Sequence, residues 1–238
     1  MCSSDLARLA PQVTRAVGAG AELVLLTETF STGFSMTPGI GEPEGGPSAQ
    51  FLAAQAAEHG VWVAGTCPEV AAGEELPYNS FVLAAPDGST HRYRKLHPFA
   101  DERDRFRSGE GPVTVQVGDL RVTPFICYDL RFANVFWNAG PDTDVFLVPA
   151  NWPGARRHHW TTLLQARAIE NQAYVVGCNR VGTAGDGTGH TGDSRIVSPM
   201  GELLATASEV ETIVLADVDP AVVAATRDRF RFLADRRS

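Results

Sequence analysis

Residues 120–132 read LRVTPFICYDLRF. Leu120 to Ile126 form a short, largely apolar run of the kind that fills a buried strand, and the run stops at Cys127. Two other stretches end the same way. ELVLLT (22–27) is a buried-strand run followed at once by Glu28. NSFVLAAPDGSTHRYRK (79–95) reads as a hairpin folded at Pro86-Asp87-Gly88, since Pro presets φ and Gly accepts positive φ, and its second arm ends on Lys95. In open α/β sheets, ligands bind beyond the carboxyl ends of the strands. A thiol, a carboxylate and an ammonium at three strand ends can therefore converge although they are far apart in the chain.

The remaining segments alternate between helix and strand. Leu6, Leu9, Ala10, Val13 and Val17 recur at helical spacing over 5–19, and Gly18 and Gly20 break the pattern. A Gly/Pro-rich loop covers 31–47. Ser48 is expected to cap a helix through 59, which Gly60 ends. VWVAGT (61–66), DVFLVPAN (144–151), AYVVGCN (173–179), DSRIVSP (193–199), GELLATA (201–207) and TIVLADV (212–218) read as strands, with Met200-Gly201 as a turn. Helices are expected over 157–172 and 219–232. Strands and helices interleave, but hairpins interrupt them. The pattern predicts an α/β fold with mixed sheets, not a pure βαβ array.

A chain of 238 residues suits one domain, 1–238, with a substantial core. Its formal net charge of −8 repels phosphate backbones and speaks against nucleic acid as a partner. One local Arg can still hold a small anion. Cys2, Cys67, Cys127 and Cys178 are scattered without a CxxC pair, which predicts reduced thiols and neither a disulfide scaffold nor a metal site. No apolar run approaches the roughly 20 residues of a membrane span, and MCSSDLARLAPQ lacks the charged and apolar regions of a signal peptide. A cytoplasmic protein without membrane contact is the expectation.

The three strand-end groups suit one reaction. A thiol becomes a strong nucleophile only as the thiolate. Glu28 is a candidate general base for Cys127, and Lys95 can stabilise both the thiolate and a tetrahedral oxyanion. The Tyr128 backbone N–H, just past the sulfur, is a second candidate oxyanion donor. The sequence then reads as thiolate attack on an amide carbonyl, loss of ammonia, and hydrolysis of a thioester. Position alone also allows a blander reading, with Cys127 a small buried hydrophobe and Glu28 and Lys95 surface charges.

LLTETFSTGF (25–34), YRKLHPF (93–99), FICYDLRF (125–132) and PANWP (149–153) resemble, in order, the signature blocks of the nitrilase or carbon–nitrogen hydrolase superfamily. The resemblance runs from about residue 6 to the end. It implies an αββα sandwich, a homodimer or higher homo-oligomer, and no metal or organic cofactor. It places a general base at Glu28, a lysine at Lys95, a nucleophile at Cys127 and a second, positioning carboxylate at Glu102. TFSTGFSM (29–36), CYDLRF (127–132), HWTTLLQARAIENQAYVVGCNRVG (159–182) and GHTGDSRIVSP (189–199) are most similar to the omega-amidase branch, which acts on the terminal amide of 2-oxo acids such as 2-oxoglutaramate and 2-oxosuccinamate. Such a substrate carries a carboxylate, for which Arg131 is a candidate; its alternative is a structural salt bridge. Phe34, Tyr128, Asn151 and Trp152 are candidate pocket residues, with core packing the alternative for Phe34 and Trp152. N-carbamoyl amino acid hydrolysis, general aliphatic amide hydrolysis and a non-catalytic interaction scaffold are the competing functions.

The sequence departs from the family pattern in three places. Pro98 stands where Leu is usual, Ala133 where Pro is usual, and the strand that normally precedes the first helix is absent from the sequence. Either a start lies upstream or the sheet lacks an element. Other motifs carry less. Gly187-Thr188-Gly189-His190-Thr191-Gly192 spells GxGxxG, but a strand-like run follows where a dinucleotide site needs a helix. His158, His159 and His190 are read as surface or supporting residues. The basic run 227–238 is read as a solvated helix end or a dimer contact.

Overall fold

The computed structural model describes residues 3–237. The elements in chain order are α1 (Ser3–Gly18), β1 (Leu23–Leu25), β2 (Glu42–Pro43), α2 (Pro47–His59), β3 (Trp62–Val70), β4 (Tyr78–Ala84), β5 (Thr90–Arg94), α3 (Glu102–Arg105), β6 (Val115–Val117) and β7 (Leu120–Pro124). They continue with α4 (Ala133–Ala139), β8 (Val145–Ala150), α5 (Arg157–Asn171), β9 (Tyr174–Asn179), β10 (Val181–Thr183), β11 (Gly189–Val197), β12 (Leu203–Ser208) and α6 (Pro220–Arg229). The result is an α/β fold with two mixed sheets and six helices.

The first sheet runs β1-β3-β4-β5, with β2 also on β3; the second runs β10-β11-β9-β8-β7-β6, with β12 also on β11. β1 is parallel to β3, and β7, β8 and β9 are parallel to one another, so Glu28 and Cys127 each lie beyond the carboxyl end of a parallel strand. Ala64, Phe81, Leu83 and Tyr93 of the first sheet share one apolar cluster with Val122, Phe146, Val148 and Val175 of the second. A separate cluster joins Val13 and Ala16 of α1 and Leu52 and Ala56 of α2 to Val24, Val63, Val82 and Ala84. The first sheet is thus apolar on both faces, as a fully buried β4 requires. On the second sheet, α5 lies so close to β9 that a Cβ at Gly177 would sit 2.5 Å from Leu164 Cδ1 and 2.9 Å from Trp160 Cζ2. That close approach explains a glycine inside the strand.

The hairpin folds as its turn residues predict, with Ala84 opposite Thr90 and Ser80 opposite Arg94. Gly60 caps α2 in the left-handed region at φ 66°. Three expectations need correction. The N-cap of α2 is Gly46 and not Ser48, because Pro47, which has no N–H to satisfy, takes the first helical position. The Ser48 N–H donates instead to the Glu42 carboxylate, at 3.1 Å to the nearer oxygen. The segment 212–218 is not a strand, since among the described residues no neighbouring backbone pairs with it. With the edge of β1 it lines a cleft of about 1460 Å³. The basic tail is not simply solvated. Arg227 Nη2 donates to the carbonyls of Gly140 (3.0 Å) and Thr143 (2.6 Å), and Arg236 Nη2 to that of Glu170 (2.6 Å) at the end of α5. Cations there complement the helix dipole. The glycine-rich stretch 187–192 leads into β11, where the chain continues as a strand and not as a helix. Cys2 lies outside the described residues.

Candidate active site

Glu28 is fixed by the turn that follows β1. Thr29 adopts φ 44°, its N–H donates to Thr66 Oγ1 (2.6 Å), and the Phe30 N–H donates to the Thr66 carbonyl (3.1 Å). Asn151, just past β8, holds the same turn from the other sheet. Its side-chain Nδ2 donates to the Glu28 carbonyl (2.8 Å) and its backbone N–H to Glu28 Oε2 (2.8 Å). Lys95 follows β5, and its backbone N–H donates to the Asn79 carbonyl on β4 (3.0 Å). Glu102 opens α3 and accepts from the Phe99 N–H (2.7 Å).

These elements bring Glu28, Lys95, Glu102 and Cys127 together. Lys95 Nζ donates to Glu28 Oε1 at 2.8 Å and to Glu102 Oε2 at 2.7 Å. The Cys127 thiol lies within the electrostatic reach of both Glu28 and Lys95. Glu28, Lys95 and Glu102 are each 1% exposed and Cys127 9%, so water screens these charges poorly and the sulfur is the least enclosed of the four groups. Cys127 has φ 43° and begins a 3-10 turn, Cys127–Arg131. A non-glycine residue in the left-handed region is strained, and such strain gathers at functional sites. Asp129 holds this elbow. Its buried carboxylate accepts from the Ile126 N–H (3.0 Å), the Tyr93 hydroxyl (2.7 Å) and the His97 N–H (2.9 Å). One side chain thereby ties the residue before Cys127 to residues on both sides of Lys95.

Burial pushes the Cys127 thiol well above its ordinary value; Glu28 pushes it further and Lys95 pulls it back. The resting sulfur is therefore a thiol, as a reaction that begins with proton transfer to a general base requires. Burial alone would lower the Lys95 value, but Glu28 and Glu102 outweigh it and the ammonium is held well above its usual range. Glu102 is raised, by burial first and by Glu28, against the opposing pull of Lys95. Cys178, with burial acting alone, is pushed up to about 12, so an ammonium neighbour is what sets Cys127 apart.

The expected pocket residues divide. The Phe34 ring lies 5.9 Å from Lys95 Nζ, and the Tyr128 ring meets Phe99 edge-on at 5.0 Å, beside the sulfur. Asn151 is a clamp on Glu28 more than a wall. Trp152 is buried against Trp160, with ring centroids 5.6 Å apart. The Arg131 guanidinium lies 4.7 Å from the Trp152 ring and 3.3 Å from His159 Nδ1. Among the described residues no carboxylate pairs with Arg131, so the salt-bridge alternative is not realised. No cluster of metal-ligating side chains and no helix able to cross a membrane occurs among the described residues.

Sequence reasoning missed Asn79. Its Nδ2 donates to Glu28 Oε1 (3.0 Å) and Glu102 Oε1 (3.2 Å). The hairpin turn already set a register in which residue 79 faces residue 95. It missed Asp129 as well, where a carboxylate two residues beyond the thiol was a signal.

Fold and site together are those of a cysteine-dependent hydrolase. The profile of the carbon-nitrogen hydrolase family matches residues 3–228. Omega-amidase YafV of Escherichia coli (strain K12) is 38% identical over 215 residues, 89% of this chain and 82% of that protein. The 2-oxoglutaramate amidase of Bacillus subtilis (strain 168) is 30% identical over 223 residues, 91% and 85% of the two chains. The crystal structure of XC1258 from Xanthomonas campestris, a CN-hydrolase superfamily protein with an arsenic adduct in its active site, matches with a TM-score of 0.93 at 32% identity, covering 99% of this chain and 92% of that one. The protein belongs to the carbon–nitrogen hydrolase family and is an amidase of that cysteine-dependent class.

Proposed function

We propose that the protein hydrolyses the terminal carboxamide of a small 2-oxo acid amide, such as 2-oxoglutaramate or 2-oxosuccinamate, to the acid and ammonia. The observation that carries this reading is the single Glu28 carboxyl group, which accepts from the Lys95 ammonium at 2.8 Å and acts electrostatically on the Cys127 thiol. Glu28 takes the thiol proton as sulfur bonds to the amide carbon. The carbonyl oxygen becomes an oxyanion beside Lys95 and the Tyr128 N–H. Glu28 returns the proton to nitrogen, the C–N bond breaks and ammonia leaves a thioester. Glu28 then deprotonates water, which attacks the thioester and frees the acid, and the thiol regains its proton. Glu102 positions Lys95. The names of the relatives support the 2-oxo acid amide class.

Arg131, which has no acidic partner among the described residues, is assigned to the substrate carboxylate, with Phe34 and Tyr128 lining the pocket, Trp152 supporting Arg131 and Asn151 holding Glu28. The two apolar clusters support the αββα layering that the resemblance implies. Exposed Met200, Leu203 and Leu204 at β12 give an apolar surface consistent with a homodimer.

Ammonia release from 2-oxoglutaramate, N-carbamoyl amino acids and simple aliphatic amides tests the substrate class, with 2-oxoglutaramate expected fastest. Arg131→Met is expected to lower kcat/KM for the 2-oxo acid amide by about 10- to 100-fold, the worth of a charge-assisted hydrogen bond. Its effect on a neutral amide should be small. Comparable rates across the panel, or equal losses on both substrates, would sink the assignment.

A further inference from the structure

Asn79 touches every member of the buried charge cluster except the sulfur. It is 1% exposed; its backbone carbonyl accepts from the Lys95 N–H at 3.0 Å, and its side-chain amide bridges Glu28 Oε1 at 3.0 Å and Glu102 Oε1 at 3.2 Å. The orientation of that amide is fixed by its neighbours. Turned over, its oxygen would face two carboxylate oxygens, whereas as placed Nδ2 offers one hydrogen to each and Oδ1 has no partner among the described residues. Each oxygen of Glu102 therefore faces donors alone: Asn79 on Oε1, and Lys95 and the Phe99 N–H on Oε2. A protonated Glu102 would find no acceptor there.

Two carboxyl groups sharing one ammonium in a dry site tend to hold a proton between them. Such a proton would occupy the oxygens that Glu28 needs for the Cys127 proton. We infer that Asn79 is a positioning residue for the reaction, and that its bridging amide keeps the Glu28–Glu102 pair free of a shared proton so that Glu28 stays open to the thiol. This rests on the proposed role of Glu28 as proton acceptor. The other ionisable groups facing the pair are Lys95, after β5, and Cys127, after β7; Asn151, after β8, contributes a neutral amide.

The test compares wild type with Asn79→Asp, which keeps the size of the side chain, and Asn79→Leu, which removes the donors. The readout is the rate of Cys127 alkylation by iodoacetamide against pH, followed by peptide mass spectrometry and independent of any assumed substrate. The acid limb of the profile is expected to move up by about one pH unit in both variants, a tenfold loss at low pH that is recovered as pH rises. In a Glu102→Gln background, where no carboxyl pair exists, Asn79→Leu should move the limb much less, because only its direct bond to Glu28 is then lost. A purely structural role would lower the melting temperature and the reactive fraction at every pH and leave the limb in place. An unmoved limb in Asn79→Asp, or a full shift persisting in the Glu102→Gln background, would overturn the inference. If Glu28→Gln instead leaves wild-type alkylation unchanged, the proton-acceptor reading fails, and that failure is distinguishable from this one.

Discussion

Cys127→Ala is expected to abolish ammonia release, lowering kcat by about 10⁴-fold or more, while the protein keeps its circular dichroism spectrum and oligomeric state. The size of the loss follows from the sulfur's position. It is the group of the cluster least sealed from solvent, on a strained elbow, within the electrostatic reach of Glu28 and Lys95. Losses of that order are typical when the nucleophile of a cooperating set is removed. Cys127→Ser should be nearly as inactive, because a hydroxyl gives up its proton far less readily and the same Glu28 must accept it. Ammonia assays on folded, quantified protein check both variants. Retention of even one-tenth of the rate by Cys127→Ala would mean that the thiol is not the nucleophile.

Lys95→Met should damage both catalysis and stability. Losing an oxyanion donor typically costs about 10²–10³ in kcat. The buried Glu28 and Glu102 also lose their cation, and breaking a buried ion pair in this way typically costs about 3–5 kcal/mol. The sign of the pH dependence follows from the remaining carboxyl groups. Glu102 is already raised above its ordinary value with Lys95 present, and without the cation it must rise further. A carboxyl group with a raised folded-state value contributes stability that is present at low pH and is lost as pH rises through that value. The variant is therefore expected to gain stability relative to wild type as pH falls from about 7 to about 5. In wild type, by contrast, the contribution of Lys95 is complete below its unfolded value of about 10.4 and is lost only as pH climbs through its higher folded one. Urea unfolding of both proteins at several pH values measures this. A constant stability gap across that range would show that Lys95 does not neutralise the pair.

The convergence of Glu28, Lys95 and Cys127 was legible because each follows a strand-like run, and β1 and β7 are parallel strands whose carboxyl ends point to one place. The charge state of the sulfur was not legible, because it depends on burial, which only the packed structure provides. Burial and Glu28 together hold the proton on sulfur against the pull of Lys95. Asn79 escaped notice for a related reason. The hairpin register set Lys95 opposite Asn79, but not the Glu28 and Glu102 carboxylates, which come from outside the hairpin. Segment 212–218 shows the opposite failure. TIVLADV has the short apolar run of a strand, but a strand exists only with a hydrogen-bonding neighbour, and none lies beside it among the described residues. The arginines of the basic tail look solvated in sequence because their partners are backbone carbonyls, which a string of side chains does not reveal.

The central claim is that one carboxyl group, one ammonium and one sulfur act on a single carbonyl through an acyl-sulfur intermediate. The most direct measurement is the partition of products between water and added hydroxylamine for an accepted amide and the methyl ester of the same acid. If both substrates pass through the same Cys127 thioester, the ratio of hydroxamate to acid must be identical for the two at each hydroxylamine concentration. Different ratios, or an amide that yields acid alone while its ester yields hydroxamate, would contradict it.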